Sequence, residues 1–361
     1  MKIICDTITY IIKLRGVFDM DFIKKEGKFD LISMGEVMLR LSPPDKEKIS
    51  QSEVFEKNCG GSEFNVASGA ANLGIRAAVV TKLPKNKMGH FIARRIRYGN
   101  VSDDYVVYDY SDQKRLGIYY YESGVYPRKS AVVYDRANAS VCSLKLSEIP
   151  EDIYDKTRIF HISSITLALD PNLRETALAV IKQMKQHGVA ISFDVNYRAS
   201  LWSEEEAREV IEKIFPLVDI LFVSEETSRR MLQRTGTLDE IMKGYADTYG
   251  CKIVATTRRE VVSPTKHNFG SRIYYDGKFY EEPHYENIEV IDRVGSGDAY
   301  VAGVLFGILS DKGIEGAMSY GNALSAIKNT VSGDMSISSI DEVDSVIKSH
   351  TAVGHQDEMV R

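Results

Sequence analysis

The sequence predicts an α/β fold: a doubly wound, mostly parallel sheet with helices on both faces and a small antiparallel β lid. Two observations lead to this prediction. Between residues 158 and 256, short apolar runs alternate with helical patterns, which is typical of a parallel sheet covered on both faces. Between residues 104 and 133, the rhythm changes to short tyrosine-rich runs that are typical of antiparallel strands.

The spacing of the apolar residues assigns the elements in order along the chain. Short apolar runs predict strands at residues 30–37, 77–81, 158–162, 190–194, 220–223 and 252–256. Helical spacing predicts helices at residues 62–73, 88–97, 171–186, 204–215, 225–233 and 238–249. A further β segment at 271–280 contains the hairpin turn Asp276-Gly277, and helical patterns follow at 296–310, 314–330 and 340–349.

The chain reads as one main domain because it contains neither an internal repeat nor a low-complexity linker. We expect this domain to span residues 30–349, with the β lid contributed by about residues 38–55 and 104–135. Residues 1–29 are a poorly specified extension, and Met20 could instead start the functional protein. Residues 350–361 form a polar tail.

Composition excludes several classes of function. The 361 residues are 43% hydrophobic and carry a net charge of −5 with both signs mixed, so nothing favours binding to nucleic acid or to an anionic membrane. The chain contains no stretch of about 18 consecutive apolar residues, which is the length that spans a bilayer. The cysteines are scattered without metal-ligand spacing, so we expect a reduced, cytoplasmic protein that acts on small molecules and has no protein-held metal cluster.

The most informative segment is Gly295-Ser296-Gly297-Asp298, which opens a helix of small residues. Glycines let the backbone approach a ligand closely, and the free N–H groups at a helix start attract anions. A phosphate is therefore the expected guest, and Asp298 could accept the proton of an attacking hydroxyl. The alternative is an ordinary helix entry in which Asp298 only complements the helix dipole.

Two other nucleotide-binding motifs are excluded. A dinucleotide-binding fingerprint would need a glycine where Tyr300 stands and would lie near the first strand. A G-x-x-x-x-G-K-[ST] loop occurs nowhere in the chain.

Residues 58–67, followed by Gly74, resemble the N-terminal signature of the ribokinase-like, phosphofructokinase B type, sugar kinases. The segment around Asp298 resembles their C-terminal signature, and the resemblance covers roughly residues 30–349. It implies the doubly wound domain with a β lid, together with ATP and Mg²⁺, and it leaves open a monovalent cation near Asp292. It also implies that Asp298 is the catalytic base and that the amides of Gly295, Ser296 and Gly297 stabilise the transferred phosphoryl group.

Within the family, the sequence resembles the branch that phosphorylates 2-keto-3-deoxygluconate, on residues 81–84, 133–138 and 193–202. The implied reaction is ATP-dependent phosphorylation of the terminal hydroxyl, which gives the 6-phosphate. The residues implied in substrate binding are Gly60, Gly61, Asn65, Tyr121, Arg136 and Arg198.

Arg198 also follows a predicted strand end, where open α/β sheets bind ligands, and its fixed fork suits a carboxylate. It could instead pair with Asp194 or Glu205. Each of the remaining substrate-binding residues could have a purely structural role: a turn at Gly60-Gly61, a helix cap at Asn65, lid core at Tyr121 and a solvated surface at Arg136.

The residues implied in ATP binding are Ser224, Glu226, Thr257, Gly295, Gly297 and Asn322. The chain departs from the family pattern at three places. Ser224 stands where asparagine is usual, Arg258 and Arg259 replace a usual glycine, and Arg293 replaces a small hydroxyl residue, which makes the cation site near Asp292 uncertain.

Two rival functions stay open. One is a kinase of the same fold that acts on a neutral sugar such as fructose or ribose, or on a nucleoside. The other is a non-catalytic sugar-binding regulator, against which an intact Asp298 argues. The lid strands could also pair with a second copy of the chain to form a homodimer.

Overall fold

The main sheet contains most of the strands and places its parallel strands side by side. The structure is a computed structural model that describes residues 20–351 except Asp112 and Pro264. Most of the predicted N-terminal extension and polar tail lies outside the described residues. The strands are β1 (Phe29–Met34), β2 (Met38–Ser42), β3 (Glu56–Gly60), β4 (Ala77–Pro84), β5 (Val106–Asp109), β6 (Ile118–Glu122), β7 (Ala131–Asp135), β8 (Thr157–Ser163), β9 (Ala190–Asp194), β10 (Ile220–Phe222), β11 (Ile253–Ser263), β12 (Lys266–Tyr275), β13 (Lys278–Glu281) and β14 (Tyr285–Glu289).

The sheet order is β13-β12-β11-β10-β9-β8-β1-β4-β5, with β14 paired to β12. Strands β5 to β11 of this order are parallel, whereas β12, β13 and β14 form antiparallel pairs at one edge. The chain therefore winds outward from β1 in both directions. This order confirms the predicted doubly wound, mostly parallel α/β class.

Helices cover both faces of the sheet and enclose two separate apolar cores. They are α1 (Ser62–Asn72), α2 (Lys87–Tyr98), α3 (Ile153–Lys156), α4 (Ser164–Leu169), α5 (Pro171–Gln186), α6 (Glu204–Ile214), α7 (Glu225–Arg230), α8 (Leu238–Tyr249), α9 (Ser296–Leu309), α10 (Gly313–Asn329) and α11 (Ile340–Thr351). Apart from β11 and β12, the bounds of the predicted strands and helices agree with the structure to within three residues, and β12 begins at Lys266, before the predicted start at residue 271.

Helix α9 is buried on every side, which explains why its sequence is apolar all round. Gly303 and Gly307 face α10, and a Cβ at either position would overlap the α10 backbone. The two glycines therefore allow close packing of α9 on α10. This packing holds the start of α9, where Asp298 lies, in a rigid position.

The lid is a four-stranded sheet in the order β3-β2-β6-β7. It consists of two antiparallel pairs, β2 with β3 and β6 with β7, that meet at a parallel pairing of β2 with β6. The lid includes β3 (Glu56–Gly60), which lies wholly beyond the predicted limit at about residue 55.

The assignment of one predicted segment to the lid is wrong. Residues 104–110 do not belong to the lid, because β5 pairs in parallel with β4 at the edge of the main sheet, with Thr81 opposite Val106. The physical reason is the connection: α2 lies between β4 and β5, and a helical crossover returns the chain parallel to its starting strand. A short alternating run does not reveal the direction of its partner.

Strand β11 is much longer than predicted, because β11 and β12 pair in antiparallel fashion from Ile253 to Ser263. Only the first part of β11, up to Ala255, pairs with β10 on its other side. The remainder of β11 and the facing half of β12 form an arm beyond the end of β10. No helix in the described part of the chain is long and apolar enough to cross a membrane.

Candidate active site

A cavity of about 870 Å³ opens at the carboxyl ends of the parallel strands, beneath the lid. Asp194 ends β9, and Val223 and Ser224 follow β10 on its floor. Tyr119 of β6 and Tyr134 of β7 line it from the lid. Ligands of open α/β sheets bind at this edge, so the cavity is the candidate site.

Asp298 lies buried in the first turn of α9 and faces the cavity. Its carboxylate accepts hydrogen bonds from Asn65 Nδ2 at 2.7 Å and from Ser62 Oγ at 2.8 Å. Burial raises the pKa of Asp298, and the bonds from Asn65 and Ser62 oppose this rise. A buried carboxylate with a raised pKa, held by two donors, is suited to accept a proton.

Ser62 links three parts of the site, and sequence reasoning did not single it out. Its Oγ donates to Asp298 and accepts from Asn196 Nδ2 at 3.0 Å. Ser62 opens α1, whereas Asn196 follows β9. The two sequence motifs thus meet at Asp298, as the resemblance implied.

The turn before Asp298 requires glycine at one of its two glycine positions. Gly295 has a φ of +83°, and a Cβ there would overlap the carbonyl oxygen of Asp334. A Cβ on Gly297 would meet open space in the cavity. The amide of Ser296 donates to the carbonyl of Arg293 at 3.2 Å, so of the three predicted phosphate-binding amides this one has a partner within the turn.

A buried ionic cluster joins the lid to this turn. Arg40 of β2 pairs with Asp334 through Nη1 at 2.7 Å and with Asp292 through Nη2 at 2.6 Å. Tyr119 donates a hydrogen bond to Asp334. All three charged side chains are buried, so the cluster ties β2 and β6 to the segment that precedes α9.

Two arginines face the sugar side of the cavity in different environments. Arg136 pairs with the buried Glu36, and its side chain is only 13% exposed, so the alternative of a solvated surface position for Arg136 is excluded. Arg198 is exposed to the cavity and forms no salt bridge with any described residue, so the alternative pairings with Asp194 or Glu205 are not formed. Arg198 is therefore available to an anionic group of a ligand.

Glu36 is a cavity residue that sequence reasoning missed. One of its carboxylate oxygens is buried and has no hydrogen-bond partner, and the Nε of Arg136 is also unpartnered. Burial raises the pKa of Glu36, and the charge of Arg136 opposes this rise. The sequence signal was an acidic residue between β1 and β2, inside an otherwise apolar stretch.

Most of the predicted site residues converge on the cavity, and three do not. Gly60 packs against the carboxylate of Asp334, which leaves no room for a Cβ. Tyr121 lies under the guanidinium of Arg40, 4.3 Å from its ring centre, and it is Tyr119 that lines the cavity. Asn322 is buried and donates to Glu282 at 2.6 Å. The predicted residues that line the cavity are Gly61, Asn65, Arg136, Arg198, Ser224, Glu226, Thr257, Gly295, Ser296, Gly297 and Asp298.

Asp194 is a second acidic residue of the cavity floor. Burial raises its pKa to about 7, and the nearby charge of Asp298 adds to this rise. Its Oδ1 accepts the Asn196 amide at 3.1 Å. Because the pKa is higher in the folded than in the unfolded chain, ionisation of Asp194 opposes folding, and stability is lost as pH rises from about 4 to about 7.

We therefore expect Asp194→Asn to raise the free energy of unfolding at pH 8, on the order of a few kcal/mol, and to change it little at pH 4. Urea unfolding at the two pH values measures the difference. Asp311→Asn, an exposed site of the same substitution, should give no pH-dependent change. An equal effect of Asp194→Asn at both pH values would contradict the expectation.

Comparison with known proteins agrees with this geometry. A family model described as pfkB family carbohydrate kinase matches residues 28–341. This chain belongs to that family. It is a carbohydrate kinase, with the ribokinase-like fold that its two signatures indicated.

Relatives from several organisms align over nearly the whole kinase domain. A 2-dehydro-3-deoxygalactonokinase from Haloferax volcanii is 36% identical over 319 residues, which are 88% of this chain and 96% of the relative. The crystal structure of a 2-dehydro-3-deoxygluconokinase from Thermotoga maritima is 33% identical, has a TM-score of 0.85, and covers 90% of this chain and 100% of its own. A sugar kinase from Pyrococcus horikoshii in complex with ATP is 26% identical, with a TM-score of 0.69 over 88% of this chain and 99% of its own.

Proposed function

We propose that this carbohydrate kinase transfers the γ-phosphoryl group of ATP to the terminal hydroxyl of a 2-keto-3-deoxy sugar acid. The favoured substrate is 2-keto-3-deoxygluconate. The product would be the 6-phosphate. The observation that carries the proposal is the buried Asp298, held by Ser62 and Asn65 at a helix start that favours anions. The named activities of the Haloferax and Thermotoga relatives support the choice of substrate.

In the proposed reaction, the terminal oxygen of the sugar acid bonds to the γ-phosphorus, and the bond from phosphorus to the ADP oxygen breaks. Asp298 takes the proton of the attacking hydroxyl. Ser62 and Asn65 hold the carboxylate in place before and during this transfer. Free amides at the start of α9 stabilise the negative charge on the phosphoryl oxygens.

The residues of the cavity fit ATP with Mg²⁺. Open space at Gly297 leaves room for phosphate beside the start of α9, and Glu226 on the β10 side would supply an oxygen ligand to the metal. The described residues contain no group of three or more His, Cys, Asp or Glu that could hold a metal, and Mg²⁺ commonly binds through substrate phosphates with only one or two carboxylates. When bound, Mg²⁺ would neutralise phosphate charge and orient the phosphates.

Arg198 is the proposed ligand of the sugar-acid carboxylate. We expect Arg198→Ala to raise the KM for the sugar acid by about 10–100-fold and to leave the KM for ATP nearly unchanged, because a charge-assisted bond to the acid is lost. Arg97→Ala is the matched control, since Arg97 and its ion-pair partner Asp103 both lie outside the cavity. Steady-state kinetics measure both values, and an unchanged sugar KM would give Arg198 a structural role only.

The resemblance left open a monovalent cation near Asp292, and a side chain of the protein itself already places a positive charge there. The buried ammonium of Lys328 donates to the carbonyl oxygens of Asp292, at 3.2 Å, and Val331, at 3.0 Å. Burial lowers the pKa of Lys328, and the charges of Asp292 and Asp334 oppose this. We propose that Lys328 supplies the positive charge that this segment needs.

Turnover should therefore be the same in K⁺, Na⁺ and tetramethylammonium salts of equal ionic strength. ADP release at saturating substrates measures it. Stimulation by K⁺ alone would contradict the proposal for Lys328, without bearing on the identity of the sugar. Choline chloride serves as the ionic-strength control.

A panel of phosphate acceptors with ADP release as the readout tests the proposed function. The panel contains 2-keto-3-deoxygluconate, its galacto epimer, fructose, ribose and a nucleoside. The two sugar acids should give the highest kcat/KM. A neutral acceptor with the highest value would favour a kinase of neutral sugars or nucleosides, and thermal stabilisation by a sugar without ADP release would favour a non-catalytic regulator. Homodimerisation through the lid and a cytoplasmic location stay predictions.

A further inference from the structure

The two clearest departures from the family pattern meet at one place in the structure. Arg258 and Arg259 lie on the arm of β11 that extends beyond β10, and Arg293 lies two residues before Gly295. All three arginines line the cavity together with Gly295, Ser296 and Gly297. Positive side chains therefore come from a strand and from a loop to the anion-favouring start of α9.

The charge of these arginines is not compensated within the protein. Arg136 on the sugar side pairs with Glu36, but neither Arg259 nor Arg293 has a carboxylate within salt-bridge distance among the described residues. Glu226, whose charge raises the pKa of Arg259, pairs instead with Arg230 at 3.1 Å. Two guanidinium groups without acidic partners favour a ligand with several negative charges.

Arg259 and Arg293 are also close enough to affect each other. Burial and the charge of Arg293 both lower the pKa of Arg259. His267, opposite Val261 on β12, is buried, and burial and then the charges of Arg259 and Arg293 lower its pKa. This side of the cavity therefore holds a concentration of positive charge from two guanidinium groups.

We propose that Arg259 and Arg293 bind the β- and γ-phosphates of the nucleotide as a pair, beside the amides at the start of α9. The inference rests on the proposed function, because it assumes that the bound polyanion is ATP. Planar guanidinium groups can each form two parallel hydrogen bonds to phosphate oxygens. The pair takes the place of the glycine and the small hydroxyl residue that are usual at these positions.

Isothermal titration of AMP, ADP and ATP tests the pair directly. Arg259→Ala and Arg293→Ala should each weaken ATP binding by about 10–100-fold and leave AMP binding unchanged, since AMP lacks the β- and γ-phosphates. The lysine variants should restore part of the loss, because lysine keeps the charge without the fork. Lys266→Ala, an exposed position on the same arm but outside the cavity, removes the same charge and should bind ATP normally.

The outcomes separate this inference from the proposed function. If the native enzyme phosphorylates a sugar acid while both alanine variants keep their native preference for ATP over AMP, the arginine pair is excluded and the kinase proposal stands. If both variants raise the KM for the sugar acid instead of the ATP dissociation constant, the pair belongs to the acceptor site and the inference fails. Failure of the native enzyme to bind ATP would overturn both.

Discussion

Asp298→Asn should lower kcat by about 10²–10⁴, because general-base catalysis has this magnitude and an amide cannot accept the hydroxyl proton. ADP release at saturating 2-keto-3-deoxygluconate measures kcat, and titration measures the ATP affinity, which should stay close to the native value. The control is Asp311→Asn, because Asp311 is exposed beyond the far end of α9.

The variant should fold, because its new amide has a partner. Asn65 now faces position 298 with its Nδ2, and its Oδ1 is buried without a hydrogen bond. If the Asn65 amide turns over, an amide at position 298 can donate to this Oδ1 while its own oxygen accepts from Ser62. The substitution also removes a buried carboxylate, and burial opposes the ionisation of that carboxylate. Near-native turnover in a folded Asp298→Asn enzyme would remove Asp298 from the mechanism.

Arg40→Leu should reduce the free energy of unfolding by about 3–5 kcal/mol, because it leaves the carboxylates of Asp292 and Asp334 buried without their cation. Urea unfolding at neutral pH measures the loss. The matched control is Arg76→Leu, which removes the ion pair with Asp30 at a side chain that is 58% exposed. The Asp30 side chain is only 11% exposed, but in this control it keeps its second ion pair, with Arg158 at 2.9 Å, so no buried carboxylate loses its only cation and the loss of stability should be smaller.

Arg40→Lys should recover only part of the stability, because one ammonium cannot hold two carboxylates and Ser42 as the guanidinium does. Since the cluster joins β2 to the segment before α9, we also expect kcat to fall in the folded fraction of both Arg40 variants. Equal stability of the Arg40→Leu and Arg76→Leu proteins would show that the cluster adds nothing beyond an ion pair with one exposed partner.

Local patterns predicted much of the site because glycines and polar residues at strand and helix ends have few alternative uses. The turn at Gly295, the carboxylate of Asp298 and the position of Arg198 after β9 were all identified in this way. Tyr119 and Tyr121 show the limit of such patterns. The two residues lie on the same face of β6, and distant residues distinguish them: Arg40 packs on the Tyr121 ring, whereas Tyr119 bonds to Asp334 and lines the cavity.

The departures from the family pattern show the same limit. Arg258, Arg259 and Arg293 could be recognised along the chain, but nothing in their spacing brings the β11 arm to the loop before α9. Glu36 and Asp194 were not predicted as site residues for a related reason, because the burial that raises their pKa comes from other segments of the chain.

Residues close together in the chain determined the α/β class, most element bounds and the glycine-flanked carboxylate, because period, caps and turns are local properties. Contacts between distant segments decided that β5 joins the main sheet, that Ser62 and Asn65 hold Asp298, and that Arg40 neutralises Asp292 and Asp334. Pairing direction, desolvation and charge neutralisation depend on residues that are distant in sequence, and only the folded chain brings these together.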